Sequence, residues 1–424
     1  MARTVLLVLL LALCDTLTAD IGAFIRYPTY DTVSLSPAGT YLAVTHRKGR
    51  SEYLTVLRLP ELEPVSSTRF ATDIGIDQVL WASETRLLIQ PARRDPSRDD
   101  YRLPTGEIAA MDVDGTHREM LFGALAGFGQ LGIKTRKRES DLAWARIVDL
   151  LPEDPEHVVI QTMGYGRKGI RNEALLLDVR DGQTRRLARA PIRNADFVTD
   201  IDHNVNLLAG SNEAGDYEVY LRQGDGDFEL LRRTPLNAGH IEPLMPSLRP
   251  GYYLFADSAS DPMLGLVEWN PQTDDRREVF RRPDVDYDRL FVAPYPHLWA
   301  VRYVDHFPYY DYPDPSHPFV ALHRSLRATF PDEDVVVFDQ TDDLRLALAY
   351  VSGPQNPGTF LLLDVEKRAV LQTLERRPWL HDATLAKVEP IEVTVRDGLS
   401  VRGYLTLPPD GRPPLPLIVL VHGG

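Results

Sequence analysis

Only the last eight residues of this chain have types and spacing that point to bond-making chemistry. Leu417-Ile418-Val419-Leu420-Val421 is an unbroken apolar run, and His422-Gly423-Gly424 follows it directly. Two glycines after a strand remove the side chains that would hold the backbone away from a reacting carbonyl. Their N–H groups can then be aimed at an oxyanion as it forms, and one such donor is worth about 3–4 kcal/mol of barrier. The same tripeptide also suits an ordinary turn, so its meaning depends on what precedes it. A serine nucleophile on a sharp turn would complete the chemistry, yet no Gly-x-Ser-x-Gly occurs in the 424 residues. Gly210-Ser211-Asn212-Glu213-Ala214-Gly215 is spaced wrongly and falls where a turn is expected. No Ser, Asp, His triad is assigned within the chain, and the candidate oxyanion loop is His422, Gly423 and Gly424.

Other clusters carry less. Asp200, Asp202 and His203 could ligate a cation, but their turn position predicts hydrogen bonds to the local backbone. Lys134-Thr135-Arg136-Lys137-Arg138 reads as a solvated loop. Tyr303 to Pro318 gathers four tyrosines, two histidines and four prolines, suited equally to stacking on a peptide and to packing between domains. No phosphate loop, zinc spacing or dinucleotide fingerprint is present, so neither a cofactor nor a metal is implied.

Ile391 to Arg396 alternates strictly, Asp397-Gly398 supplies a turn with positive φ, and Leu399 to Leu407 returns as the second arm of a hairpin. A proline-rich loop, Pro408 to Pro414, leads into the apolar run. Five consecutive apolar residues predict a strand buried on both faces, as in a parallel sheet covered by helices. Nothing in the 424 residues supplies that cover, so the chain is expected to be a fragment whose missing part is an α/β domain.

Upstream, paired apolar runs around Pro, Asp, Asn or Gly turns start near residues 33, 79, 147, 197, 248 and 335. One further unit fits around Leu298 to Val304. A second element recurs as an apolar strand ending in Asp and a turn, at Met111 to Gly115, Leu177 to Gly182 and Leu363 to Val365. Recurrence of short strands at a period of about fifty residues predicts a β-propeller of about seven blades, with a β-sandwich as the alternative. Phe319, Val320, Leu322 and Leu326 keep helical spacing and predict a short inserted helix. The fold class is thus mainly β. The expected division is a signal peptide over 1–19, a propeller over 20–380 and the start of an α/β-hydrolase domain over 381–424.

Arg3, the apolar stretch Val5 to Leu13 and the segment ending Leu17-Thr18-Ala19 have the three regions of a secretory signal. Nine apolar residues are far short of the roughly 20 that span a bilayer, so no stable membrane span is expected. Cys14 partly fits a lipoprotein box, but Leu13 is too large for it, and cleavage after Ala19 is favoured. Cleavage there discards the only cysteine and leaves the net charge of −14. A chain this acidic repels phosphate backbones, which excludes nucleic acid as a partner.

The signal, the blade opening Leu35-Ser36-Pro37-Ala38-Gly39, the run Gly353 to Thr359, and Val395-Arg396-Asp397-Gly398-Leu399 through His422-Gly423-Gly424 together resemble the prolyl oligopeptidase family. The dipeptidyl aminopeptidase and acylaminoacyl peptidase branch is the most similar. The resemblance implies a propeller capping an α/β-hydrolase domain, short peptide substrates, and a serine acyl-enzyme whose Ser, Asp and His follow the His-Gly-Gly strand. It implies no cofactor, an inactive fragment and an exported, periplasmic parent. Two other readings fit the same residues: a non-catalytic periplasmic binding propeller, and an esterase of the same hydrolase fold. Oligomeric state is not legible.

Overall fold

In the computed structural model of the chain, residues 21–424 are described apart from 73, 96–97, 125–141, 165–171, 225, 410, 412–413 and 422–424. The expected signal segment and the basic run Lys134 to Arg138 lie outside the described residues. Seven consecutive sheets form seven blades, spanning 32–69, 74–122, 143–189, 194–234, 241–280, 287–311 and 334–375. The fold is the expected mainly-β, seven-bladed propeller. Within each blade the strands pair antiparallel in chain order, so no blade borrows a strand from another. Blade 2 adds a fifth strand, Arg98–Pro104, and blade 6 has only three strands.

Seven buried hydrophobic clusters hold the ring together, one at each seam between neighbouring blades. The alternation of a strand explains this, because successive side chains point to opposite faces and each face meets a different neighbour. Leu42 and Val44 pack into the seam with blade 7, while Ala43 between them packs towards blade 2. Strands buried on both faces therefore read as continuous apolar runs, and Gly265–Asn270 is buried throughout.

Polar groups stitch the same seams. Arg86, with 0% exposure, donates from Nε and Nη2 to the Val179 carbonyl of blade 3 (3.0 and 2.8 Å). Its Nη1 meets Asp112 Oδ1 (3.0 Å) and the His117 carbonyl (2.7 Å). The recurring Asp turns end the third strands of blades 2, 3 and 7. There Asp178 Oδ1 accepts the N–H groups of Arg180 (2.7 Å) and Asp181 (3.0 Å), and the following Val179 is buried.

Blade 5 departs from the expected start near Leu248. Its first strand is Ile241–Pro246, Leu248 lies exposed in the turn, and the second strand is Tyr253–Asp257. Pro243 and Pro246 disguise the first strand, yet the innermost strand of a blade is an edge, where a missing N–H leaves no ladder bond unmade. In blade 6 the run around Leu298 is the second strand, Leu298–Asp305, preceded by Tyr287–Val292.

The expected helix is Pro318–Thr329, and it packs against blades 6 and 7. Pro318 occupies the first turn, where no intrahelical N–H bond is lost, and His317 Nδ1 caps the Phe319 N–H (3.2 Å). The helix buries Phe319, Val320, Leu322, His323 and Leu326 around Trp299. His323 has 0% exposure; its Nε2 donates to the Val335 carbonyl (2.8 Å) and its Nδ1 accepts the Tyr312 hydroxyl (3.0 Å). Burial pushes its pKa down to about 4, so the native ring is neutral. The stabilisation is present above the unfolded value near 6.5 and is lost as the pH falls towards 4. It should amount to about 3 kcal/mol. Denaturant unfolding at pH 7 and pH 4.5 should show that loss in the wild type, and a smaller one in His323→Gln.

Candidate functional site

The first strand of each blade starts, the second turns into the third, and the fourth ends on one rim of the ring; this rim is the junction face. The backbone enters blade 1 and leaves blade 7 there. Thr29 N donates to Arg376 O (2.8 Å), Trp379 Nε1 donates to Ala23 O (2.8 Å), and the Arg26 guanidinium lies 4.3 Å above the Trp379 ring. The C-terminal hairpin pairs Lys387–Thr394 with Ser400–Leu407, and Gly398 takes the expected positive φ of 86° in the turn. The hairpin lies against the same rim. Arg402 pairs with Asp305 (2.7 Å) and the Tyr404 hydroxyl donates to the His306 carbonyl, both in the turn of blade 6 between its second and third strands. Gln355, in the corresponding turn of blade 7, donates to Leu385 O (3.1 Å).

A buried ion network lies on this face beside the blade 1 strands. Glu52, with 0% exposure, accepts Arg94 Nη2 (2.5 Å) and the Ile76 N–H (3.2 Å), and Arg102 stands 3.5 Å away. Arg102 also pairs with Asp31, which accepts Arg376 Nη2 (3.3 Å). The network joins the approach to blade 1, the extra strand of blade 2 and the exit of blade 7. Sequence reasoning missed it, because Asp31 and Arg376 are 345 residues apart and only closure of the ring brings them together.

The aromatic segment Tyr303 to Pro318 divides between two roles. Tyr310 is buried and donates to Asp334 (2.8 Å) and the Val335 carbonyl (2.9 Å), which is packing between blades 6 and 7. Tyr303 and Tyr309 stack at 5.7 Å, and Phe307 and Tyr309 are exposed on the junction face near the hairpin. At Asp200 the reading of a local turn holds: Oδ1 accepts the N–H groups of Asp202 and Asn204 (2.9 Å each), while His203 Nδ1 meets Asp149 Oδ2 (2.9 Å). Gly210 to Gly215 spans the turn between strands Val205–Ser211 and Tyr217–Leu221, where Asn212 Oδ1 accepts the Ala214 and Asp216 N–H groups.

The candidate oxyanion loop, His422, Gly423 and Gly424, lies outside the described residues. Leu417 to Val421 departs from expectation: the run forms no strand and is 73–94% exposed. A buried strand needs hydrogen-bonding neighbours on both sides, and no described strand pairs with this run. Among the described residues no helix is long and apolar enough to cross a membrane.

No family model matches the chain. Dipeptidyl aminopeptidase BIII of Pseudoxanthomonas mexicana is 23% identical over 295 residues, covering 66% of this chain and 41% of that protein. The chain is homologous to that dipeptidyl aminopeptidase. Its structural neighbours lie in the prolyl oligopeptidase family, as the sequence resemblance implied. A prolyl endopeptidase aligns with a TM-score of 0.58 at 10% identity, over 91% of this chain and 55% of that one. Prolyl oligopeptidase B of Galerina marginata gives 0.56 at 11% identity, over 90% and 55%. Puromycin hydrolase gives 0.52 at 12% identity, over 92% and 60%. At these identities the structural likeness is one of fold. The chain spans less than two thirds of the length of each of these relatives.

Proposed function

We propose that this chain is the N-terminal part of an exported serine peptidase that hydrolyses short peptides. In this reading residues 1–19 are a signal peptide, 20–380 the propeller, and 381–424 the start of an α/β-hydrolase domain seated on the junction face. The observation that carries it is the hairpin Lys387–Leu407 held against the rim of a propeller whose sequence is homologous to a dipeptidyl aminopeptidase. The peptide substrate class is supported by that relative's name and by the 35mer hydrolysis and macrocyclization substrate bound to the Galerina enzyme. His422, Gly423 and Gly424 would open the oxyanion loop. A serine beyond them would attack the scissile carbonyl, with a histidine taking its proton and an aspartate orienting that histidine. The residues of this chain by themselves would be inactive. The parent would act in the periplasm, released from its signal after Ala19.

The reading frame beyond codon 424 tests this directly. A Gly-x-Ser-x-Gly within about a hundred residues, followed by Asp and then His, is expected. A stop codon immediately after Gly424 would instead favour the non-catalytic binding propeller.

A further inference from the structure

Ahead of blade 1 the chain forms one short helix, Ile21–Ile25. Ile21, Phe24 and Ile25 stand at i, i+3 and i+4, so they share one helical face. They are 70%, 56% and 73% exposed, and no residue of this helix is buried. Five residues do not hold a helix in water by themselves, and here the exit of blade 7 holds it. Trp379 Nε1 donates to the Ala23 carbonyl (2.8 Å), and the Arg26 guanidinium lies 4.3 Å above the Trp379 ring. The next residues are tied down as well. Thr29 N donates to Arg376 O (2.8 Å), Asp31 accepts Arg376 Nη2 (3.3 Å), and the Arg47 guanidinium lies 3.5 Å above the Tyr27 ring. The segment is thus fixed through polar groups and one indole while its apolar stripe is left to solvent. An ordinary surface helix does the reverse.

We propose that Ile21, Phe24 and Ile25 are a docking face for the α/β domain that starts at the C-terminal hairpin, giving that domain a second hold on the propeller beside its covalent linker. The inference rests on the two-domain peptidase reading. Three observations choose this occupant. Trp379 lies in the turn Pro378–Leu380 at the root of the linker, so the helix stands beside the path through residues 381–386 to the hairpin Lys387–Leu407. The hairpin in turn leaves Val393, Leu399 and Val401 exposed, so apolar surface lies on both sides of the linker and one body seated over it covers both. Relatives of this build carry such a body, since the chain spans 41% of the dipeptidyl aminopeptidase and 55% of the prolyl endopeptidase. A second copy fits less well. Three side chains per copy fall far short of the roughly 800 Å² that each partner buries in a standard interface. With the helix tied to Arg376 and Trp379, and the domain seated on the helix, the linker is braced from both sides. The domain then cannot swing away without exposing the stripe.

Photo-crosslinking in the parent protein tests this, with p-benzoylphenylalanine in place of Phe24 and the linked residues located by mass spectrometry. The expected partner lies on the C-terminal side of Gly424 in the same molecule. Cross-links confined to residues 1–424, cross-links that join two copies, or none at all overturn the proposal. A second measurement does not depend on the probe. Phe24→Ser combined with Ile25→Ser changes only exposed side chains of the propeller part, so blade 4 should keep its hydrogen exchange over 205–221. Exchange over 376–387 of the parent should become about tenfold faster, and an unchanged rate there overturns the docking. Fluorophosphonate labelling of the same samples reports on the peptidase separately. A labelled serine with no cross-link beyond Gly424 removes the docking and leaves the peptidase standing; a cross-link beyond Gly424 in a protein that takes no label does the opposite.

Discussion

Replacing Arg86 with methionine is expected to destabilise the propeller by about 3–5 kcal/mol, the range for removing one partner from a buried charged pair. One guanidinium serves Val179 O twice, His117 O and Asp112, so it spans blades 2 and 3 and fills three acceptors that no apolar side chain can satisfy. Burial lowers the pKa of Arg86, while its bonds to Asp112 offset part of that cost. Arg86→Lys should recover only a fraction, because an ammonium cannot reproduce the fork that grips one carbonyl from two nitrogens. Urea midpoints for the three proteins would measure the order: wild type highest, lysine intermediate, methionine lowest. A methionine variant within about 0.5 kcal/mol of the wild type, the usual range for surface substitutions, would mean that the seam between blades 2 and 3 does not depend on this residue.

Trp299→Ala should cost about 3–5 kcal/mol, through lost transfer energy and the cavity left behind. The indole is 1% exposed and is ringed by Phe291, Phe319, His317 and His323 at 5.6–6.1 Å between ring centroids. Blade 6 has three strands, and the helix Pro318–Thr329 sits between this ring and the first strand of blade 7. Blades contact only their neighbours, so the loosening should stay local. Hydrogen exchange should accelerate over 287–353, including the Asp305 to Phe307 turn that touches the C-terminal hairpin, with blades 3 and 4 close to unchanged. Uniform acceleration around the ring would contradict the picture of seams that act separately.

The seven-bladed repeat was legible because its signals are local. Turn glycines such as Gly39, Asp-ended strands such as Leu177-Asp178, and helical spacing at Phe319 to Leu326 each act within a dozen residues. The misreading at Leu248 has the same origin, since Pro243 and Pro246 look like turn residues until their strand is known to be an edge. The contacts that build the junction face were not legible. Asp31 with Arg376, Asp305 with Arg402 and His306 with Tyr404 meet only after the ring has closed and the hairpin has folded back. The Leu417 to Val421 run shows the opposite limit: its composition suits a sheet interior, but a strand forms only where neighbours offer hydrogen bonds.

A fluorophosphonate probe applied to the parent protein, followed by location of the modified residue by mass spectrometry, tests the peptidase reading most directly. The expected result is a single labelled serine within Gly-x-Ser-x-Gly on the C-terminal side of Gly424, with label and peptide hydrolysis lost together when that serine becomes alanine. A folded propeller in a parent that takes up no label and cleaves no peptide would contradict it.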